Sequence, residues 1–153
     1  MNKVRDLRSA LELLENMPGQ LIETDVEVDP MAELSGVYRH VGAGGTVQRP
    51  TKEGPAMIFN NVKGHKDARV LIGLLASRKR VAALLGTEPE DLGKLLYRSV
   101  DNPIPPVLTD KTPLCQEVVH RATDEDFDLY KLVPAPTNTP DDAGPYITLG
   151  MCY

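Results

Sequence analysis

Prolines crowd the chain between Pro103 and Pro145, and they restrict what it can fold into more than any other feature. Each one locks φ and removes a backbone donor, so the irregular structure should fall in this third of the chain, and the first two thirds of Leu132 to Tyr153 can be neither helix nor central strand. Leu132 to Gly144, with Pro134, Pro136 and Pro140, reads as an ordered loop or a linker. After Pro145 the residues become Tyr146, Ile147, Thr148, Leu149, Met151 and Tyr153, the composition of a strand entering a sheet. The sequence ends inside that strand. Its N–H and C=O groups need partners, so the expectation is that these 153 residues are the front of a longer protein. Lacking those partners, the Tyr146 to Tyr153 segment is expected to self-associate or stay disordered.

The regular elements fall ahead of the prolines. Val4, Leu7, Leu11 and Leu14, with Ala10, recur at helical spacing and end at Met17-Pro18-Gly19. Gln20 to Val28 alternates in period two, Ile22, Thr24, Val26 and Val28 against Glu23, Asp25 and Glu27, which predicts a strand with one wet face. Asp29-Pro30 predicts a helix start, with Met31, Leu34, Val37, Tyr38 and Val41 on the buried side. Ala56 to Phe59 reads as a short strand and Arg69 to Leu75 as a buried one. Ser77 opens a helix that Gly86 stops, and Thr87-Glu88-Pro89-Glu90 has the form of a capping box ahead of Leu92, Leu95, Leu96 and Val100. Cys115 to Arg121 reads as a further strand, and Asp124 as the cap of a short helix through Phe127, Leu129 and Leu132. The fold class is therefore α/β: a mixed sheet with flanking helices over 1–101, a proline-rich connection over 102–114, and the start of a second domain over 115–153.

Composition excludes several functions. A formal net charge of -5 argues against a nucleic-acid binder held by phosphate contacts. No apolar run approaches the ~20 residues that cross a bilayer, and the N-terminus lacks the apolar block of a signal peptide, so no membrane partner and a cytoplasmic location are expected. Cys115 and Cys152 are too few for a disulfide framework and lack zinc-site spacing.

Few residues announce chemistry. His40, His65 and His120 lie on different predicted elements, with no Cys, Ser or carboxylate at triad or metal spacing. Gly42-Ala43-Gly44-Gly45 could cradle a phosphate, but such loops follow a strand and open a helix, whereas here a helix precedes them and a left-handed cap is the stronger reading. Lys63, His65 and Lys66 could attract an anion or simply be a solvated loop. Arg78, Lys79 and Arg80 crowd a helix N-terminus against the dipole preference, which a functional surface or an acidic neighbour would explain. The acidic run Asp124-Glu125-Asp126-Asp128 lacks the glycine and distal glutamate of a calcium loop. No catalytic residue and no metal ligand can be named from the residues alone.

An ordered set of motifs does carry a resemblance. Val26-Glu27-Val28-Asp29-Pro30, Met57-Ile58-Phe59-Asn60-Asn61-Val62-Lys63-Gly64-His65, Ala76-Ser77-Arg78-Lys79-Arg80-Val81-Ala82, Asn102-Pro103-Ile104-Pro105-Pro106-Val107 and Asp142-Ala143-Gly144-Pro145-Tyr146-Ile147-Thr148-Leu149-Gly150 follow one another across nearly the whole chain. Together they resemble the UbiD-like decarboxylases, carboxy-lyases that use prenylated flavin mononucleotide. Ile22-Glu23-Thr24-Asp25, Gly36-Val37-Tyr38-Arg39-His40 and Pro134-Ala135-Pro136-Thr137-Asn138-Thr139-Pro140 are most similar to the gallate and protocatechuate (3,4-dihydroxybenzoate) branch.

The resemblance implies a three-part enzyme: an N-terminal α/β domain, a central split-barrel flavin domain whose first strand this chain enters, and a C-terminal domain through which the protein forms a homo-oligomer. It implies prenylated FMN with a divalent metal (Mn or Mg) and K, a small aromatic acid substrate, and a flavin prenyltransferase as cofactor supplier. The family's acid/base and metal-binding residues fall beyond Tyr153, so the chain alone is expected to be inactive and to hold no cofactor. Thr148, Leu149 and Met151 match the family strand that touches the flavin. Two other readings remain open: a stand-alone module docking on a separate catalytic subunit through Ser77 to Val81, and a nucleotide-binding protein using the Gly42 to Gly45 loop.

Overall fold

The computed structural model describes residues 4–43 and 53–148. Helix α1, Leu7–Glu15, opens on a reciprocal cap in which the Asp6 carboxylate accepts from the Ser9 amide (2.8 Å) and the Ser9 hydroxyl accepts from the Asp6 amide (3.1 Å). Ala10 and Leu14 are its buried residues, while Leu7 stays exposed. Strand β1, Leu21–Thr24, is shorter than the alternation predicts. Beyond Thr24 the chain leaves the ladder: the bond from the Asn60 amide to the Thr24 carbonyl (2.9 Å) is the last rung, the Thr24 hydroxyl accepts from the Val26 amide (3.2 Å), and Val26 is exposed. Pairing resumes only at Val28, bridged in parallel to Val62.

Helix α2 spans Glu33–Ala43, three residues later than Asp29-Pro30 predicts. Asp29 instead forms a tight turn, its carboxylate accepting from the Met31 amide (2.8 Å), and the Glu33 carboxylate accepts from the Asp29 amide (2.7 Å). The shifted start changes which residues are inside. Leu34, Tyr38 and Val41 form the inward stripe, whereas Met31 and Val37 are exposed.

Strand β2, Ala56–Phe59, runs parallel to β1 with Leu21 opposite Ala56 and Thr24 opposite Phe59. Strand β3, Val70–Ile72, pairs antiparallel to β2, giving the order β1-β2-β3 and the mixed sheet that the sequence predicts. The expected Arg69 to Leu75 strand is cut short at Gly73, which takes φ 77 and turns the chain. All four β2 residues are buried. Met57 and Phe59 join Val28, Leu34 and Val62 in the core with Ile22, Tyr38, Val41, Val70 and Ile72 around them. Ala56 and Ile58 point to the opposite face, so β2 is covered on both sides.

Helix α3, Arg78–Leu85, starts at Ser77, whose hydroxyl accepts from the Arg80 amide (3.2 Å), and ends at left-handed Gly86. The capping box expected at Thr87 does not form. Pro89–Asp91 makes a single 3-10 turn with no side-chain cap and leads directly into α4, Leu92–Asp101. Of the α4 residues expected to pack inward, Leu92 is buried, but Leu96 and Val100 are exposed. The Cys115 to Arg121 strand is also absent. A 3-10 turn, Leu114–Gln116, stands there, and Val118 and Val119 face solvent without a ladder partner among the described residues. The short helix α5, Leu129–Leu132, is capped by Asp128 and not by Asp124, whose carboxylate accepts from the Arg121 amide (2.8 Å).

Candidate functional site

The proline stretch comes back to the domain as a strap. The Thr137 amide donates to the Pro30 carbonyl (3.0 Å), the Ala32 amide donates to the Thr137 carbonyl (2.8 Å), and Thr137 is the buried residue at the crossing. Beside it the Ser35 hydroxyl bonds Asn138 Oδ1 (2.7 Å). The Asp142 carboxylate then accepts from the amides of Asn138 (3.2 Å) and Thr139 (2.9 Å) and from the Thr139 hydroxyl (2.9 Å). Those bonds favour its ionised form and hold its pKa below the ordinary 3.8. These bonds tie the Pro136 to Asp142 stretch to itself and to the α2 entry.

Docking the strap creates a groove of about 590 Å³. One wall is β3 and the turn after it, Val70 to Ala76; the other is Val133, Pro134, Pro136, Asn138 and Tyr146 to Thr148. The Tyr146 amide bonds the Pro136 carbonyl (3.1 Å), which folds the second wall back on itself. The first wall turns at Gly73 because nothing larger fits: a Cβ there would overlap the ring of Tyr38. Asn138 Nδ2 is enclosed on this side with no acceptor among the described residues. A second hollow of about 630 Å³ is lined only by consecutive residues, Glu125 to Lys131, and is the inside of one turn.

Thr148 lies in the groove wall, exposed and outside any strand. Leu149 and Met151 lie outside the described residues, as do Gly44 and Gly45. Gly42 is in the last turn of α2, where a Cβ would meet the Tyr38 ring at 2.6 Å, so it is a packing glycine behind a helix and not a phosphate cradle ahead of one. His40 is exposed in that same turn. The anion reading of the Lys63 to Lys66 loop gives way to an ion pair, Lys63 with Asp29 at 2.8 Å, which raises the lysine pKa and lowers that of the aspartate. Of the docking face expected from Ser77 to Val81, Ser77 and Arg80 are buried inside the chain, while Arg78 and Lys79 are exposed. No group of three or more His, Cys, Asp or Glu side chains that could hold a metal occurs among the described residues.

The sequence reading missed Arg80. Its guanidinium enters the fold and donates to the carbonyls of Gly73 (2.7 Å), Leu74 (2.9 Å) and Gly54 (3.2 Å) and to Gln20 Oε1 (3.0 Å). The signal was the run of cations at a helix N-terminus, unfavourable by dipole and explained here by carbonyl oxygens instead of an acid. Burial pushes its pKa down, while Tyr38 and Glu53 oppose that shift.

Residues 11–100 match the family described as 3-octaprenyl-4-hydroxybenzoate carboxy-lyase N-terminal domain, and residues 107–153 match the carboxy-lyase Rift-related domain. The chain belongs to the UbiD family. It is 57% identical over 149 residues to the gallate decarboxylase of Lactiplantibacillus plantarum, covering 97% of this chain and 30% of that relative. The apo structure of a 3,4-dihydroxybenzoic acid decarboxylase from Enterobacter cloacae superposes with a TM-score of 0.83 at 57% identity, over 94% of this chain and 30% of that one. An evolved dimeric form of the UbiD-class enzyme HmfF from Pelotomaculum thermopropionicum, in complex with prFMN, superposes at 0.76 and 33% identity over 93% of this chain and 30% of its own. The chain thus spans about 30% of the length of these relatives.

Proposed function

We propose that this chain is the front of a non-oxidative hydroxybenzoate decarboxylase that releases CO₂ from gallate or protocatechuate with prenylated FMN. The observation that carries this reading is 57% identity to a gallate decarboxylase, sustained over 97% of the chain. The groove beside Thr148 supports it. Its walls are largely apolar, with the hydroxyl-bearing Tyr146 and Thr148 and one enclosed amide donor, which suits a flat ring system carrying a few acceptors. Arg69 is the one cation in that lining, so the groove fits a ring better than a phosphate. The flavin, when bound, supplies an electron sink for the carbanion that loss of CO₂ leaves behind. This chain's part is to present Thr148 and the strap to it, with Leu149 and Met151 as the further contacts that the family resemblance implies.

In this reading 115–153 opens the split-barrel flavin domain and 102–114 is the connection into it. The divalent metal, K, the acid/base residues and the oligomeric contact belong to the remainder of the enzyme, and the 153 residues by themselves turn nothing over. The test is the whole gene product, produced together with a flavin prenyltransferase and supplied with gallate and protocatechuate. Stoichiometric CO₂ release, with flavin absorbance in the purified protein, is expected. Failure to release CO₂ from any hydroxybenzoate refutes the proposal.

A further inference from the structure

Arg80 is fully enclosed, yet no carboxylate among the described residues pairs with it. A buried cation is costly unless its donors are met, and here four neutral oxygens meet them. Those oxygens come from three distant parts of the chain. Gln20 directly precedes β1, Gly54 lies just ahead of β2, and Gly73 follows β3. Since β1 and β2 are parallel and β3 is antiparallel, all three points lie at one end of the sheet. The fork therefore gathers that end against α3. It also holds the Gly73 and Leu74 carbonyls inward, which fixes the course of Gly73 to Ala76, and these residues are a wall of the groove. The Gly73 carbonyl accepts at the same time from the Ala76 amide (3.1 Å), so one oxygen ties the guanidinium to the turn. A lysine could reach one cluster of these oxygens but not span both, because its donors diverge from a single nitrogen.

We propose that Arg80 is a positioning residue: it sets the Gly73 to Ala76 wall at a defined distance from the Thr148 wall and so determines how a ring-bearing ligand seats in the groove. The catalytic part of this inference rests on the function proposed above. The experiment compares Arg80→Lys with Gln20→Ala in the whole enzyme produced with the flavin prenyltransferase. Gln20→Ala removes one oxygen of the fork, from a residue that does not line the groove, and serves as the stability control. In Arg80→Lys the Ala76 amide is expected to exchange about tenfold faster or more, and kcat/KM for protocatechuate and gallate to fall by about tenfold or more, as a small misplacement at a reacting site does. Gln20→Ala is expected to keep both within about twofold, whatever its melting temperature. Equal Ala76 exchange in Arg80→Lys and the parent overturns the proposal, as does activity lost only in proportion to folded protein in both variants. Should the parent enzyme release no CO₂, the functional reading falls, and the exchange comparison still decides whether Arg80 positions the wall. Arg80→Gln, read in the same way, replaces the lysine variant if that one does not fold.

Discussion

Ala32 and Gly73 both hold positive φ, 63 and 77, and the two should respond to substitution with opposite sign. At Ala32 a left-handed backbone costs an L-residue about 1–2 kcal/mol, held in place by the amide's bond to Thr137. Ala32→Gly should therefore stabilise the fold by roughly 0.5–1 kcal/mol once glycine's extra chain entropy is subtracted, measured by urea unfolding. Gly73→Ala should destabilise it by about 2 kcal/mol or more, since the strain is joined by overlap with the Tyr38 ring. Asp142 offers a pH test. Its folded pKa is lowered by the Thr139 and Asn138 bonds, so its contribution is fully present above the ordinary value of 3.8 and is lost as pH falls through the lowered one. The Asp142 carboxyl resonance should titrate below 3.8, and Asp142→Asn should expose the Asn138 and Thr139 amides to exchange.

Strand β2 is where the elements concentrate stability, and α4 is where they withhold it. Phe59→Ala, at a residue 1% exposed, should cost about 3–5 kcal/mol. Leu96→Ala, at 58% exposed, should change the urea midpoint by less than about 0.5 kcal/mol equivalent. The contrast also shows what a sequence can reveal. Ala56 to Phe59 is apolar without interruption because it is covered on both faces, and that pattern is readable in one dimension. The heptad-like leucines of α4 give the same inward signal, but no described element covers Leu96 or Val100. Period two ran on through Val26 because alternation continues in the side chains even where the Val26 amide has turned to the Thr24 hydroxyl and Val26 is exposed. Thr87 to Glu90 has the residues of a cap, yet Pro89 begins a 3-10 turn that leaves its side chains unused. Of the groove, Thr148 was legible only through family resemblance. Arg80 was hidden because four carbonyl and amide oxygens, converging from Gln20, Gly54, Gly73 and Leu74, leave no trace in local composition.

Across the whole molecule the organising contact joins the first third of the chain to the last. Thr137→Pro removes the donor that reaches the Pro30 carbonyl, and the Ala32 amide should then lose protection by about tenfold or more while β2 amides keep theirs. Equal protection in both proteins would show that the Ser35 to Asn138 bond and the Ala32 amide's bond to the Thr137 carbonyl hold the strap without it. Among the described residues no helix is long and apolar enough to cross a membrane. The strap also imposes an order on synthesis. Ser35 and Asn138 are 103 positions apart, so when the sheet strands have already emerged from the ribosome the entry to α2 still lacks its partner. At roughly 5–20 residues per second that gap lasts several seconds, during which Met31, Ala32 and the Pro30 carbonyl stand open to chaperones and to neighbouring nascent chains. A ribosome stalled before codon 137 would hold a domain whose sheet is complete and whose second helix is not yet latched.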